Sequence, residues 1–450
     1  MHCSSRLFLG ALLMTSFACG NTPADTEDGS SGGTGGTGAE TGGDTGTPTG
    51  DTGAPTTGDS AETGGTSGGV DLPEGCDALV SPGGDDTETL QAALLDAADD
   101  STVCLAEGTF MLNTEISISA DGLTLKGAGR GKSILDFSDQ DLGANGIKIT
   151  GDDVTVMAFT VQESPGDGIR GDMVKNITFD DVEVVWAAPE SMESGAYGFY
   201  PVGCDGVVIR NSLVRGARDA GIYVGQSYNI IVEDNEAYGN VAGIEIENSY
   251  DATVRRNHAH DNTGGILIFN LPGLEVKNGT RTLAYDNIIE NNNGNNFGIE
   301  GTAVAAVPPG LGFMILASDG NEIRNNTIRG NKSTGIVITQ YTELLLEPFD
   351  DPEYDVFAEG NYIHDNVFEN NATDPDVVIL TITEQANPGY DMLLDGCIDA
   401  MKDNSDGSFS NCFNGNGSGT FLDFQLCNNF MMQSADIAAV TCDHTPLMAP

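Results

Sequence analysis

Residues 219–268 contain more than two copies of one pattern, DAGIYVGQSYNIIVEDNEAYGNVAGIEIENSYDATVRRNHAHDNTGGILI. A glycine followed by isoleucine recurs at Gly221, Gly243 and Gly265, so the unit is 22 residues long. Apolar residues alternate after each glycine, and this period of two is typical of a short strand with one buried face. The stretch therefore predicts a stack of similar turns, each with a strand that begins at its glycine.

The same unit extends over most of the chain. In the repeat, a glycine followed by Ile or Phe recurs at spacings of 22, 30, 23, 22, 22, 47 and 23 residues, and the longer gaps hold insertions. These glycines are Gly146, Gly168, Gly198, Gly221, Gly243, Gly265, Gly312 and Gly335. A second short apolar strand follows in most units and ends before an asparagine, namely Asn235, Asn257, Asn287, Asn326 or Asn366. A third short strand then leads to the next glycine.

Three short strands per unit, with asparagine at a fixed turn, predict an all-β fold, the right-handed parallel β-helix. In such a solenoid each turn pairs with its neighbours at a spacing of about 4.8 Å. Asparagine tolerates the left-handed backbone conformation of tight turns, and its amide can hydrogen-bond along the stack as a ladder. We therefore expect the repeated asparagines to be structural.

Both ends of the predicted solenoid differ from its repeats. Residues 87–98 have an amphipathic pattern that follows an Asp85–Glu88 capping box, which predicts a helix that covers the open first turn. Four cysteines appear where the repeat is lost, which predicts a disulfide-rich cap at the other end. The predicted segments are 71–140 for the N-terminal cap and first turns, 141–395 for the repeats, and 396–450 for the C-terminal cap.

The cysteines indicate an oxidising compartment, in which most of them should pair. Cys76 and Cys104 flank the predicted helix, and we expect a disulfide between them. The four cysteines of the C-terminal cap allow three pairings, which the sequence leaves open: Cys397, Cys412, Cys427 and Cys442. Cys204 has no histidine near it in the sequence and is expected to be a buried thiol.

The amino terminus has the pattern of an export signal. The apolar run 7–17 is too short to span a bilayer and suits a signal peptide that ends at residue 18. The next residue, Cys19, resembles the cysteine of a bacterial lipobox, which predicts a lipid anchor at the outer-membrane surface, with secretion as the alternative. Residues 19–70 are rich in Gly and Thr and should form a disordered tether. We expect a monomer whose contact with the membrane is limited to the lipid.

The charge restricts the partners. The chain has 68 acidic and 18 basic side chains, a formal net charge of −50, which excludes nucleic acid. Only eight of the acids lie in the tether, so the folded part is itself acidic and repels a polyanion. The composition therefore favours a neutral glycan, or an acidic one that meets bridging Ca²⁺ or a local basic patch. Lys148, Arg170 and Arg218 are the candidates for such a patch.

The repeat resembles the right-handed parallel β-helix proteins of the pectate-lyase-like superfamily over residues 85–395. Four segments, AYGFYPV, DAGIYVGQS, VAGIEIENS and TGGILIFNLP, are similar to a subfamily of exported bacterial β-helix proteins. The superfamily implies polysaccharide lyases, pectin-type hydrolases, uronan epimerases and non-catalytic binders, so the resemblance indicates the fold far better than the function. It also implies that the strands with the Gly–Ile pairs line the substrate groove.

The outward positions of those strands predict one column of side chains about 5 Å apart. In chain order the column holds Lys148, Arg170, Tyr200, Tyr223, Glu245, Leu267, Met314 and Val337. Tyrosine rings stack on sugars and arginine binds carboxylates through two hydrogen bonds, so the column suits a polysaccharide laid along the axis. The residues assigned to substrate binding are Asp167, Tyr197, Tyr200, Arg218, Gln226, Glu247 and Asn248.

Three functions stay open at the level of sequence. In a polysaccharide lyase or uronan epimerase, Tyr223 is the candidate base and Arg170 clamps the substrate charge. Asp219 and Glu245 complete this catalytic set and, with Glu247, are the candidate ligands of a Ca²⁺ cofactor. In an inverting hydrolase Asp167 and Asp219 form the acid pair, although the Gly-His-Gly and Arg-Ile-Lys motifs of pectin hydrolases are missing. In the third, the protein is a surface module that binds a glycan or a protein without chemistry.

Two further features bear on a site. Four insertions interrupt the repeat, and we expect them to wall the sides of the groove: 186–195, 270–281, 294–311 and 340–360. His258 and His260 follow a second strand of the repeat with Ala259 pointing inward, so both rings should lie side by side on the surface. They predict either a metal site or an ordinary turn at Asp261.

Overall fold

The structure is a computed structural model that describes residues 72–343, 346–383 and 389–449. The predicted signal peptide, Cys19 and the tether lie outside the described residues. No helix within the described ranges is long and apolar enough to cross a membrane.

The described chain is a right-handed parallel β-helix with three faces. One face is an 11-stranded parallel sheet, which we call the front sheet. Its strands are Thr114–Ile118, Leu142–Ile149, Asp167–Asp172, Tyr197–Val202, Ala220–Gly225, Ala242–Glu247, Gly264–Phe269, Leu311–Leu316, Thr334–Thr339, Met392–Leu394 and Phe421–Asp423.

The other two faces form one 20-stranded sheet, because the long strands Thr155–Gln162 and Lys175–Val185 run through both. The second face holds Ala78–Val80, Thr102–Leu105, Thr124–Lys126, Asp205–Arg210, Tyr228–Glu233, Tyr250–Arg255, Leu283–Tyr285, Glu322–Arg324, Tyr362–His364 and Cys412–Asn414. The third face holds Gly108–Met111, Ser133–Asp136, Leu213–Arg215, Glu236–Tyr238, His258–His260, Ile288–Glu290, Thr327–Arg329 and Val367–Glu369.

The core is a column of branched side chains, one above another. Ile222, Ile244 and Ile266 pair directly across neighbouring strands, and each is fully buried. Parallel pairing brings the same repeat position together on every turn, which confirms the alternation seen in the sequence. The preceding glycines leave no room for a side chain, since a Cβ on Gly243 would lie 2.6 Å from the Gly265 carbonyl oxygen.

The predicted asparagine ladder is present. Each side-chain amide donates to the Oδ1 atom of the asparagine on the next turn at 2.9–3.0 Å, through Asn235, Asn257, Asn287, Asn326 and Asn366. The same Oδ1 atoms also accept from the backbone of the previous turn. A second ladder, which the sequence analysis missed, runs through Asn240, Asn262, Asn292, Asn331 and Asn371. These bonds satisfy buried backbone groups at the corners of the solenoid, where sheet pairing stops.

The backbone conformation of the ladder corrects one expectation. The left-handed residue is the one before each asparagine, as at Asp234 (φ 57°), Arg256 (φ 54°) and Asp286 (φ 55°). The preceding residue turns the chain, and the asparagine side chain that follows is then directed into the stack. Short polar residues tolerate this conformation better than branched ones, which suits the aspartates found there.

The N-terminal helix, α1, spans Asp86–Leu95 and ends three residues earlier than predicted. Asp85 caps it by accepting a hydrogen bond from the Glu88 backbone at 3.0 Å. Leu90 and Leu94 are buried in the core, so the helix closes the first turn as expected.

The C-terminal segment is less distinct from the repeat than the sequence indicated. Strands Cys412–Asn414 and Phe421–Asp423 pair with the turns before them, so the stack continues beyond residue 395. Helix α2, Val377–Thr383, lies within another insertion, and short 3₁₀ helices occur at Val304–Ala306, Leu426–Asn428 and Ile437–Val440.

Disulfide bonds cross-link the chain at both ends of the solenoid. The predicted bond Cys76–Cys104 is present, and the C-terminal pairs are Cys397–Cys427 and Cys412–Cys442. Cys204 is the free thiol among the described cysteines and is fully buried, as expected. Its backbone N–H donates to the Ser227 hydroxyl oxygen on the next turn at 3.0 Å. Cys204 is therefore part of the framework.

The ladder gives a testable prediction of stability. Replacing Asn257 with alanine removes its bonds to Asn235, Asn287 and Val232 and leaves buried polar groups without partners. We expect Asn257→Ala to lower the free energy of unfolding by about 3 kcal/mol in urea denaturation. The matched variant Asn414→Ala loses one exposed bond to Asp443 and should cost less than about 1 kcal/mol. Equal losses would show that the ladder adds nothing beyond an ordinary surface bond.

Candidate functional site

The outward column predicted on the front sheet is present. Lys148, Arg170 and Tyr200 are direct partners on successive strands. Further along the axis the pairs follow the predicted order, through Tyr223, Glu245, Leu267, Met314 and Val337. The repeat spacing alone was therefore sufficient to assign which side chains share this surface.

Two of the insertions, 294–311 and 340–360, cover part of this surface, where the sequence predicted that they would wall its sides. Side chains from two insertions pack with outward residues of the front sheet in a second hydrophobic cluster, including Val307 and Tyr354 above Leu267 and Phe269. All six residues of strand Ala220–Gly225 are buried, as are those of the next two strands. Loop side chains were not assigned to this face because their apolar residues follow no period.

The front sheet is accessible on its first four strands, from Thr114–Ile118 to Tyr197–Val202, which we call the open turns. Lys148 and Arg170 expose 35% and 31% of their side chains there, and Tyr197 and Tyr200 are half-buried. The predicted groove is thus shortened to the end of the column that carries the cations and the tyrosines.

Three tyrosines mark the border between the open and covered parts. The rings of Tyr197 and Tyr200 stack with their centroids 4.4 Å apart, and Tyr223 lies 4.8 Å from the first and 4.9 Å from the second. The guanidinium of Arg170 lies over the Tyr200 ring at 5.0 Å. These contacts fix Arg170 at the edge of an aromatic surface, a suitable platform for a sugar ring.

The open turns also hold polar atoms without partners. Lys148 and Arg170 both contact Asp172, at 3.1 and 3.4 Å. The buried Nε of Arg170 has no hydrogen-bond partner among the described residues, and the same is true of the Asn145 Oδ1 atom. Asn145 is the strand partner of Asp167, so a free donor and a free acceptor flank this acid. Asn145 was not predicted from the sequence, because one amide just before a strand gives no signal.

Two half-buried acids lie on either side of Tyr197. Burial raises the pKa of Asp167 to about 6, against the opposing effect of Arg170. Burial, followed by the negative charge of Glu247, raises the pKa of Asp219 to about 7. Asp167 accepts from the Tyr197 backbone, and Asp219 accepts from the Tyr197 hydroxyl. Acids with pKa values near neutrality can both take up and release protons.

Two further acids lie under the covering loops. Glu245 and Glu247 are 3% and 7% exposed, and the Tyr223 hydroxyl donates to Glu247 Oε1 at 2.7 Å. Burial raises the pKa of Glu247 to about 7, and burial with the charge of Glu247 raises that of Glu245 well above its usual value. Gly225 makes this bond possible, since a Cβ there would lie 2.2 Å from the Tyr223 hydroxyl oxygen.

Several predicted roles change with this geometry. Tyr223 does not suit the role of base, because its hydroxyl is buried, donates to Glu247, and has a pKa raised well above its usual value by burial. Gln226 and Asn248 anchor the loop that follows Phe269, since Gln226 accepts from the Glu275 backbone and Asn248 bonds Leu271. These two amides are therefore loop supports.

Two further side chains, Arg218 and Trp186, lie at the first insertion. Arg218 donates to the Ser194 carbonyl oxygen and influences the pKa of both Asp167 and Asp219. Trp186 is buried and donates to the Ser164 carbonyl oxygen at 2.7 Å, so it packs the first insertion against the solenoid. The structure thus brings together Arg170, Tyr200 and the two acids at the edge of the covered part, where Glu245 and Glu247 are buried.

The three acids predicted as Ca²⁺ ligands do not form a group of converging side chains among the described residues. Ca²⁺ takes six to eight oxygen ligands. Among the described residues, two groups of three ligand-bearing side chains converge within 4.8 Å, and Asp219, Glu245 and Glu247 form neither. One group consists of Asp319, Asp355 and Glu359. All three carboxylates pair with the Lys402 ammonium, which lies where a metal ion would bind. The other contains His258 and His260 on the third face.

Comparisons with known proteins support the fold. Residues 145–282 match the family model described as right handed beta helix region. No curated protein shows significant similarity to the sequence. The family match covers less than half of the chain. Similarity over a longer part of the chain is seen with solved structures.

Two solved structures share the fold over most of their length. The A-module of the mannuronan C-5 epimerase AlgE4 from Azotobacter vinelandii is 17% identical, with a TM-score of 0.50 over 76% of this chain and 95% of that chain. The polygalacturonase from Erwinia carotovora ssp. carotovora is 12% identical, with a TM-score of 0.52 over 77% of this chain and 94% of that chain. They confirm the right-handed parallel β-helix fold. At sequence identities this low, the similarity shows a shared fold alone.

The buried acids predict how stability depends on pH. Carboxyl groups titrate near pH 4 in an unfolded chain, but Glu247 and Asp219 keep their protons to about pH 7 when folded. The folded state therefore binds more protons between these limits, and stability falls as pH rises from about 4 to 7. Glu247→Gln removes one of these protons, so its melting temperature should fall less steeply than that of the wild type.

The matched control is Glu107→Gln, at an exposed acid that pairs with Lys132. The melting temperature of Glu107→Gln should fall with rising pH as steeply as that of the wild type, because the overall charge repulsion is nearly the same in both proteins. If Glu247→Gln and Glu107→Gln follow the same curve, Glu247 is not protonated in the folded protein near neutral pH.

Proposed function

We propose that the protein binds an acidic polysaccharide across the open turns and transfers a proton at C5 of a uronate residue, as a lyase or a C5 epimerase does. The observation that carries this proposal is the buried, unpaired Nε of Arg170 beside Asp167, an acid whose pKa is raised to about 6. A carboxylate of the polysaccharide would supply the missing acceptor for Arg170, and C5 is the carbon next to that carboxylate.

Substrate binding rests on the cations and rings of the open turns. Arg170 is held over Tyr200, and its Nε, which has no hydrogen-bond partner among the described residues, can donate to a carboxylate. Lys148, one strand earlier, extends the positive charge along the axis. The stacked rings of Tyr197 and Tyr200 offer a surface for the adjoining sugar. The patch is local, which suits an otherwise acidic protein that must attract an anionic chain at one place.

The two acids divide the proton transfer between them. Near pH 7 Asp167 is mostly ionised and is the candidate base, whereas Asp219 keeps a proton in about half of the molecules and is the candidate acid. When the C5–H bond breaks, its electron pair moves toward the uronate carboxylate, where Arg170 holds the charge. In epimerisation Asp219 returns a proton to the other side of C5. In elimination the C4–O bond breaks and the leaving oxygen takes the proton.

The test is turnover of polyuronates by the full chain. Polymannuronate and polygalacturonate are incubated with the protein in D₂O, and deuterium at C5, unsaturated uronates and new reducing ends are measured separately. We expect exchange or unsaturation with one of them. Asp167→Asn should lower kcat by about 100-fold or more, because it removes the base. Arg170→Ala should weaken both binding and turnover.

Arg210→Ala is the matched control, since Arg210 pairs with Asp180 on the second face and should leave turnover unchanged. Each alternative has its own signature. New reducing ends without exchange or unsaturation identify a hydrolase, for which Asp167 and Asp219 are the candidate acid pair. Binding of either polymer without any product identifies a non-catalytic module, and no binding at all removes the acidic polysaccharide as ligand.

A further inference from the structure

His258 and His260 lie on the third face of the solenoid, away from the front sheet. Both project outward from one short strand with buried Ala259 between them, and their ring centroids are 4.1 Å apart. Glu236, on the preceding turn, is the direct strand partner of His258. One ligand atom from each of these three residues lies within 4.8 Å of the others.

We propose that Glu236, His258 and His260 bind a transition-metal ion, Zn²⁺ in the first instance. Two imidazoles and one carboxylate are a ligand set that Zn²⁺ favours, and Ca²⁺ and Mg²⁺ prefer oxygen ligands alone. The His260 Nε2 and Glu236 Oε1 atoms are 3.1 Å apart. That is near the separation of about 3.3 Å between ligand atoms of a tetrahedral Zn²⁺ with bonds of about 2.0 Å.

The neighbours of both histidines orient the rings. His260 Nδ1 lies 2.7 Å from Asp261 Oδ2, which holds the proton on Nδ1 and turns Nε2 toward Glu236. Tyr238 stacks on the same ring at 5.1 Å. His258 Nε2 lies 2.9 Å from Glu290 on the following turn. A carboxylate behind a metal-binding histidine is a frequent support in metal sites.

The charge of this cluster also favours a cation. With neutral imidazoles, the carboxylates of Glu236, Asp261 and Glu290 face one cation among their described contacts, Arg329, which pairs with Glu290. A divalent ion would balance the remaining negative charge. Glu236 and His258 expose 45% and 38% of their side chains, so an ion can enter from solvent and keep a position open for water.

His364 provides a comparison within the same chain. Its Nδ1 atom contacts Asp365 at 2.8 Å and its Nε2 atom contacts Glu322 at 3.0 Å, the same pair of carboxylate contacts that His260 makes. Its ring stacks on Tyr362, where His260 has a second histidine at 4.1 Å. The His260 cluster therefore differs from an ordinary histidine bridge by one additional nitrogen ligand, which is what the proposal requires.

The test is Zn²⁺ binding to the chelator-treated full chain, measured by calorimetry, with Co²⁺ absorption as a report of nitrogen coordination. We expect saturable binding of one ion by the wild type. His260→Ala and His258→Ala should each weaken it by at least about tenfold, and Asp261→Asn by about 10- to 100-fold, since it removes the orienting carboxylate. His364→Ala should bind as the wild type does.

The same titration overturns the proposal in any of three ways. The wild type binds no Zn²⁺ saturably; His260→Ala keeps the wild-type affinity; or His364→Ala loses as much affinity as His260→Ala. Zn²⁺ should also raise the melting temperature of the wild type and leave that of His260→Ala unchanged, because an ion that binds the folded state alone stabilises it. This second readout detects a variant that has failed to fold.

Discussion

The parallel pairing of one turn with the next is the constraint on which the remainder of the molecule depends. It stacks identical repeat positions, so branched side chains form the core and asparagines form ladders at the corners. It also aligns outward residues that are far apart in sequence, such as Arg170 and Tyr200. A site on this solenoid is consequently a row of side chains, one per turn, and its chemistry changes as the row passes from one turn to the next.

The covering loops decide which part of that row meets solvent. Where they pack on the front sheet, the outward residues form a second apolar core. Glu245 and Glu247 are buried there, and burial raises their pKa values. Where the sheet is open, cations and tyrosines remain accessible. Asp219 lies at the border, and the charge of buried Glu247 contributes to its raised pKa. The covered acids thus influence the open turns without any contact with a ligand.

Periodic features were predictable from the sequence, and non-periodic ones were not. The spacing of Gly221, Gly243 and Gly265 sufficed for the fold, the register and the outward column, because parallel stacking converts sequence period into spatial alignment. The loop contacts follow no period, so their burial of Tyr223 and their use of Asn248 as an anchor required the structure. The C-terminal disulfide pairing also depended on the three-dimensional path of the chain.

Binding of a polysaccharide at the open turns is the central claim. A crystal structure of the protein with a short oligouronate tests this. We expect a sugar chain along strands Leu142–Ile149, Asp167–Asp172 and Tyr197–Val202, with a carboxylate on Arg170 and C5 facing Asp167. An oligouronate found over the covered strands, or on another face with the Arg170 Nε still unpaired, would contradict it.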